Sequence, residues 1–160
     1  MSGTDAEIVL RYYVQIGQML QFVRREQAEM ELNYNTIRGT GLDGMPKGSG
    51  TGDVVGRTAT KLAEDGVAEQ IQALGIRQVV LCQDAEDVAQ ALQSMNGVYS
   101  STLILHYRDR HKWRDVAQKM HFSESHVLRL RRRALEMLGE QLEAVPMAGE
   151  LLARARDARA

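Results

Sequence analysis

Residues 113–130 read WRDVAQKMHFSESHVLRL, and the spacing of their apolar side chains decides the fold around them. Counted from Trp113 as the first position, Val116 is the fourth, Ala117 the fifth, Met120 the eighth, Phe122 the tenth, Val127 the fifteenth and Leu130 the eighteenth. A two-turn helix over 113–120, a tight turn at His121-Phe122 and a new helix from Ser123 bring these side chains onto facing inner surfaces. Two helices that cross at a wide angle over a short turn need a small residue at the crossing, and Ala117 supplies it. Ser123 is placed to cap the second helix, its hydroxyl accepting from the Ser125 or His126 amide. Two positions depart from the ideal. The turn often holds a glycine with positive φ, and here it is His121, a residue type that tolerates that region better than most. Lys112 stands where Ser or Thr would cap the first helix better.

On the second helix Val127, Leu130, Ala134 and Leu138 face inward at 3.6-residue spacing. Ser125, Arg129 and Arg132 face outward, with Glu124, His126, Leu128 and Arg133 on the flanks. This is the layout of a helix-turn-helix that lays its second helix in the major groove of double-stranded DNA. Glu124, Ser125, Leu128 and Arg129, near the N-terminal end, are expected at base edges, with Arg129 suited to a bidentate contact to guanine O6 and N7. Lys112, Arg114, Lys119, Ser123, His126, Arg131, Arg132 and Arg133 are expected on phosphates, which position the protein without reading sequence. Taken alone, Arg131-Arg132-Arg133 reads equally well as a solvated helix face. Trp113 is expected as a core plug under the motif.

Upstream, VYSSTLILHY (98–107) makes a short apolar helix, joined to the motif by the charged connector 108–112. Before it, Val67, Ile71, Leu74, Gln78, Leu81, Ala85, Val88, Leu92 and Met95 alternate spacings of four and three, a heptad seam sustained over four heptads. Gly75 weakens that helix locally, and Cys82 beside the seam reads as a small hydrophobe. Asn96-Gly97 reads as its stop. Glu69, Asp84, Glu86 and Asp87 lie outside the seam. The seam must be buried against the N-terminal helix of the same chain or the same helix of a second chain, and both are open. That N-terminal helix is expected over 4–33, with Thr4 or Asp5 as cap and Ile8, Tyr12, Ile16, Met19, Leu20 and Val23 as its apolar stripe.

The segment GTGLDGMPKGSGTGDVVG (39–56) holds seven glycines and one proline and reads as a flexible connector. It lacks the G-x-x-x-x-G-K-[ST] spacing of a phosphate loop, and a helix, not a strand, precedes it. Asp53 reads as the cap of a helix starting near Val54. After Pro146, residues 147–158 can form a short helix around Leu151 and Leu152. The expected architecture is all-α: an N-terminal helix (1–38), a glycine-rich linker (39–56), a coiled-coil-like seam segment (57–96), a helix-turn-helix domain (97–142) and a C-terminal tail (143–160).

The formal net charge is only −1 over 160 residues, but it is unevenly spread. Residues 61–100 carry 2 basic and 6 acidic side chains, and residues 101–140 carry 9 and 5. Such asymmetry is a cue for nucleic-acid contact. The single Cys82 excludes an internal disulfide and a thiolate zinc site and fits a reducing compartment, so a cytoplasmic location is expected. His106, His111, His121 and His126 show no metal-ligand spacing. No nucleophile–base set or carboxylate pair stands out, so neither an enzyme, nor a cofactor, nor a metal is expected. No apolar run approaches a membrane span, so no membrane partner is expected.

Two stretches carry a family resemblance. TLILHYRDRHKWRDVAQKMHFSESHVLRLRRRALEML (102–138) resembles region 4 of bacterial sigma-70 factors, through Leu105-His106-Tyr107, Asp115-Val116-Ala117, the Ser-capped helix at 123–127, and Arg133-Ala134-Leu135 with Leu138. GMPKGSGTGDVVG (44–56) is similar to the G-M-P-x-G-x-G-x-x-D signature of small phage and prophage regulators of the RinA/ArpU type. Together the resemblance covers about residues 30–140. It implies a non-catalytic phage activator of late or packaging genes that binds promoter DNA in a bacterial host, with host RNA polymerase as a second partner. Opening a promoter needs aromatic residues to capture flipped bases. With one Trp and two Phe, and no basic-aromatic cluster upstream of residue 98, the chain is not expected to melt promoters alone. Two other readings stay open: a small terminase-like packaging subunit whose seam helix builds a ring, and a module that binds polymerase through the acidic 61–100 helix without touching DNA.

Overall fold

The structure is a computed structural model that describes residues 1–39 and 54–159, and all regular structure among these is helical. In chain order the elements are α1 (Gly3–Gly39), α2 (Val54–Ser94), α3 (Gly97–Leu103), α4 (Trp113–Lys119), α5 (Glu124–Glu143) and α6 (Ala148–Asp157). The last turn of α3 widens into a π turn over Ile104–Arg108. α1 outruns the 4–33 of the sequence reading, since it runs to Gly39, whereas α2 begins at Val54, where a helix is expected to start. Residues 40–53 lie outside the described residues, and with them most of the glycine-rich connector and the cap assigned to Asp53. No described helix is long and apolar enough to cross a membrane.

The chain folds as two compact units, Met1–Gly17 with Cys82–Ala160, and Gln18–Leu81. In the first, the start of α1 buries Ala6, Val9, Leu10, Tyr12 and Ile16. The end of α2 contributes Val88, Leu92 and Met95, and α3 contributes Thr102 and Leu103. α5 adds Ala134, Leu135, Leu138 and Leu142, and α6 adds Leu151 and Ala155. Ser2, not Thr4 or Asp5, caps α1: its hydroxyl accepts from the Asp5 amide at 3.2 Å and donates to the Asp5 carboxylate at 2.7 Å. Gly139 lets α5 approach the chain start, since a Cβ there would collide with the Met1 carbonyl oxygen.

Three sequence expectations change here. Asn96-Gly97 does not stop α2 in the manner of a C-terminal glycine. Asn96 (φ −58°, ψ 136°) instead caps α3, its side chain accepting from the Val98 amide at 3.1 Å, and Gly97 is the first residue of that helix. Asp84 is not a solvated charge flanking the seam. It is 1% exposed, takes a bidentate pair from Arg154 at 2.6 and 2.9 Å, and accepts from the Tyr12 hydroxyl at 2.8 Å. Burial, with the Asp84 carboxylate close by, pushes the Tyr12 hydroxyl well above its ordinary pKa. Cys82 is exposed.

The second unit joins the middle of α1 to the first part of α2. Val23 and Leu81 are its buried apolar side chains among the described residues. Val67, Ile71, Leu74 and Gln78 of the seam and Met19, Leu20 and Met30 of α1 are half-buried. Gln78 donates to the Gln27 side chain across the helix pair. In each unit, therefore, α2 meets α1 of its own chain: through Gln27 and the seam residue Gln78 here, and through Tyr12 and Asp84 in the first.

Candidate nucleic-acid interface

α4, the turn and α5 form a hairpin around Val116, Ala117 and Val127, with Leu105, Trp113 and Met120 packed against them. The turn has a defined hydrogen-bond pattern. The Phe122 amide donates to the Ala117 carbonyl at 2.9 Å and the His121 amide to Gln118 at 3.2 Å. That pair closes a helix through one residue in the left-handed region, and His121 occupies it with φ 57°. Ser123 (φ −73°, ψ 152°) then caps α5, its hydroxyl accepting from the His126 amide at 3.3 Å. Lys112 starts α4 without a side-chain cap bond. Phe122 is the apolar position least like the pattern: it is 40% exposed and its ring lies 4.8 Å from that of His126.

The outward surface of the hairpin gathers most of the anticipated side chains. Glu124, Ser125, Leu128 and Arg129 are exposed on the first two turns of α5. Arg129 and Arg132 are exposed and form no ion pair among the described residues. Arg133 is exposed and pairs with Glu136 at 3.1 Å. Lys112 and Arg114 are exposed at the start of α4, and Ser123 at the turn. Lys119 is exposed and donates to His111 Nε2 at 2.7 Å. His126 is half-buried against Phe122.

Arg131 takes a different place from its neighbours. Its guanidinium donates to Glu7 of α1 at 2.9 Å and lies over the Trp113 ring, 5.4 Å from the centroid. Its Nε is buried. The side chain anticipated as a phosphate contact is thus committed to the support of α5. Three further residues complete that support. His106 stacks on Trp113 with centroids 3.8 Å apart, and its Nδ1 donates to the His111 carbonyl at 2.7 Å. Arg11 pairs with Glu7 at 2.8 Å and lies over the Tyr107 ring. The π turn at 104–108 places His106 and Tyr107 together, their rings edge to face at 4.8 Å.

Electrostatics follow from this packing. Burial pushes the Glu7 carboxyl up, but Arg11 and Arg131 outweigh it and hold the pKa below the ordinary value. Burial lowers the His106 pKa, the carbonyl of His111 opposes that, and the cations Arg131 and Arg11 add to the lowering. Trp113 serves as the core plug anticipated for it and also as the surface on which His106 and Arg131 rest. Sequence reasoning missed Glu7, Arg11, His106 and Tyr107 as supports. Glu7 and Arg131 lie 124 positions apart, and no local spacing signals such a pair. Among the described residues no group of His, Cys, Asp and Glu is arranged to hold a metal.

No family model, curated protein or solved structure matches the chain.

Proposed function

We propose that the protein is a sequence-specific double-stranded-DNA-binding regulator of transcription, with α5 lying in the major groove. The observation that carries this reading is the α4–α5 hairpin itself. Its turn is closed at a positive-φ His121, its second helix is capped by Ser123, and exposed Arg129 and Arg132 project from the outer face of that helix. Glu124, Ser125, Leu128 and Arg129 read base edges, Arg129 by the planar fork that matches guanine O6 and N7. Lys112, Arg114, Lys119, Ser123, His126, Arg132 and Arg133 take phosphates. Arg131 holds the helix from behind. The resemblance of 102–138 to sigma-70 region 4 and of 44–56 to RinA/ArpU-type regulators supports a phage late-gene activator that works at a promoter with host RNA polymerase.

The test is a mobility shift with promoter-containing phage DNA across a salt series. Apparent affinity should fall with a log–log slope of several units as phosphate contacts release counterions. A flat salt dependence, or no binding at low salt, refutes the reading.

A further inference from the structure

Within the unit Gln18–Leu81, α1 carries a stripe that faces away from its own core. Phe22, Arg25, Glu29 and Leu32 follow one another at spacings of three, four and three. At 100° per residue they occupy one strip of helix about 80° wide. All four are exposed: Phe22 by 62%, Leu32 by 68%, and the side chains of Arg25 and Glu29 by 79% and 63%. The core-facing residues of the same stretch, Val23, Gln27 and Met30, point elsewhere.

Along the stripe the order is apolar, cationic, anionic, apolar, so the stripe is its own complement when reversed. We propose that it is a contact between two copies of this chain. The two α1 helices lie antiparallel about a two-fold axis near residue 27, so that Phe22 meets Leu32 and Arg25 meets Glu29 of the second copy, each twice. Such an isologous contact uses the same patch on both copies. The occupant follows from charge. A single apolar patch fits many partners, but a stripe whose charges pair only when read backwards fits a second copy of itself. The register is equally specific. Moving the axis to residue 29 opposes two carboxylates, and moving it to residue 25 opposes two guanidinium groups. At the chosen register Gln21 faces Asn33 and Glu26 faces Ala28, and no like charges meet. In the single chain the Arg25–Glu29 pair, 3.0 Å apart, is exposed and contributes little. In the dimer each carboxylate gains a second guanidinium, and the Phe22–Leu32 contacts at both ends screen the pairs from water. The face differs from the heptad seam, whose Gln78 bonds Gln27 of α1 in the same chain.

The stripe spans about 15 Å of helix, which places the contact in the weak, reversible class. Sedimentation equilibrium of the full chain from roughly 1 to 100 µM should show a concentration-dependent rise toward twice the 17.9 kDa chain mass. Arg25→Glu, which sets carboxylates against each other across the axis, should weaken dimerisation at least about tenfold, as should Glu29→Arg. The double exchange R25E/E29R should restore it to within about threefold. Circular dichroism of each variant reports whether the helices persist. A chain that stays monomeric throughout, or a dimer indifferent to the single exchanges, overturns the proposal. So does loss of the dimer on Ile76→Glu but not on Arg25→Glu, since Ile76 and Val79 form a separate exposed apolar pair on α2. The contact does not depend on the DNA-binding reading, and the mobility shift tests that separately.

Discussion

Arg129 and Arg131 stand two positions apart on one helix and do different work. Arg129 projects into solvent, whereas Arg131 is held by Glu7 and Trp113. Arg129→Ala should therefore weaken specific DNA binding by roughly 1–3 kcal/mol and leave non-specific binding nearly unchanged. Mobility shifts on specific and scrambled duplexes measure the difference, and equal losses on both would put Arg129 on a phosphate. His106 supplies a second prediction. Burial against Trp113, reinforced by the cations Arg131 and Arg11, favours the neutral ring and lowers its folded pKa. The unfolded chain binds the proton more readily, so the stabilisation is complete above the ordinary histidine pKa of about 6.5 and is lost as pH falls below it. Urea titrations at stepped pH should show that loss, and His106→Phe, which keeps an aromatic ring on Trp113, should flatten the slope. At this scale the helix period placed Arg129 correctly on an outer face. The same period could not reveal that Arg131 meets an acidic residue brought from the start of the chain.

At the scale of the element, the α4–α5 hairpin is held by its turn and its cap as much as by its small core. His121 sits at φ 57°, a conformation that costs an L-residue roughly 1–2 kcal/mol and glycine very little. Against the greater chain entropy that glycine loses on folding, His121→Gly should still stabilise by about 0.5–1 kcal/mol, seen as a higher melting temperature. Ser123→Ala removes the oxygen that accepts the His126 amide and should cost about 1 kcal/mol. Both positions were legible in the sequence, because turns and caps are made by residues within a few positions of one another. The Asn96-Gly97 pair shows the limit of such reading. Asparagine followed by glycine serves a helix stop and a helix start almost equally well, and only the path of the chain into α3 selects the start.

Across the whole first unit, the decisive contact is a long-range one. α6 returns to the fold and sets Arg154 on the buried Asp84, which Tyr12 also bonds. Arg154→Met leaves a carboxylate in an apolar setting without its cation. Because Arg154 itself is about one-third exposed, the expected loss is roughly 2–4 kcal/mol, somewhat below that of a fully buried pair. Urea denaturation measures it. Asp84→Asn combined with Arg154→Met should recover part of the loss, since the amide tolerates burial better than the carboxylate.

The all-helical architecture, the heptad seam, the turn at His121 and the cap at Ser123 were determined by the sequence itself. Each rests on periodicity or on hydrogen bonds between near neighbours, and those are fixed by local spacing. Tertiary structure alone decided that Gln78 of the seam meets Gln27 of α1 within the chain, that Asp84 is a buried partner of α6, and that Arg131 braces α5 against Glu7 and Trp113. These outcomes depend on which distant side chains arrive at the same place. Charge counted along the chain cannot foresee that, because a carboxylate counts the same in water as in the grip of an arginine 70 residues away.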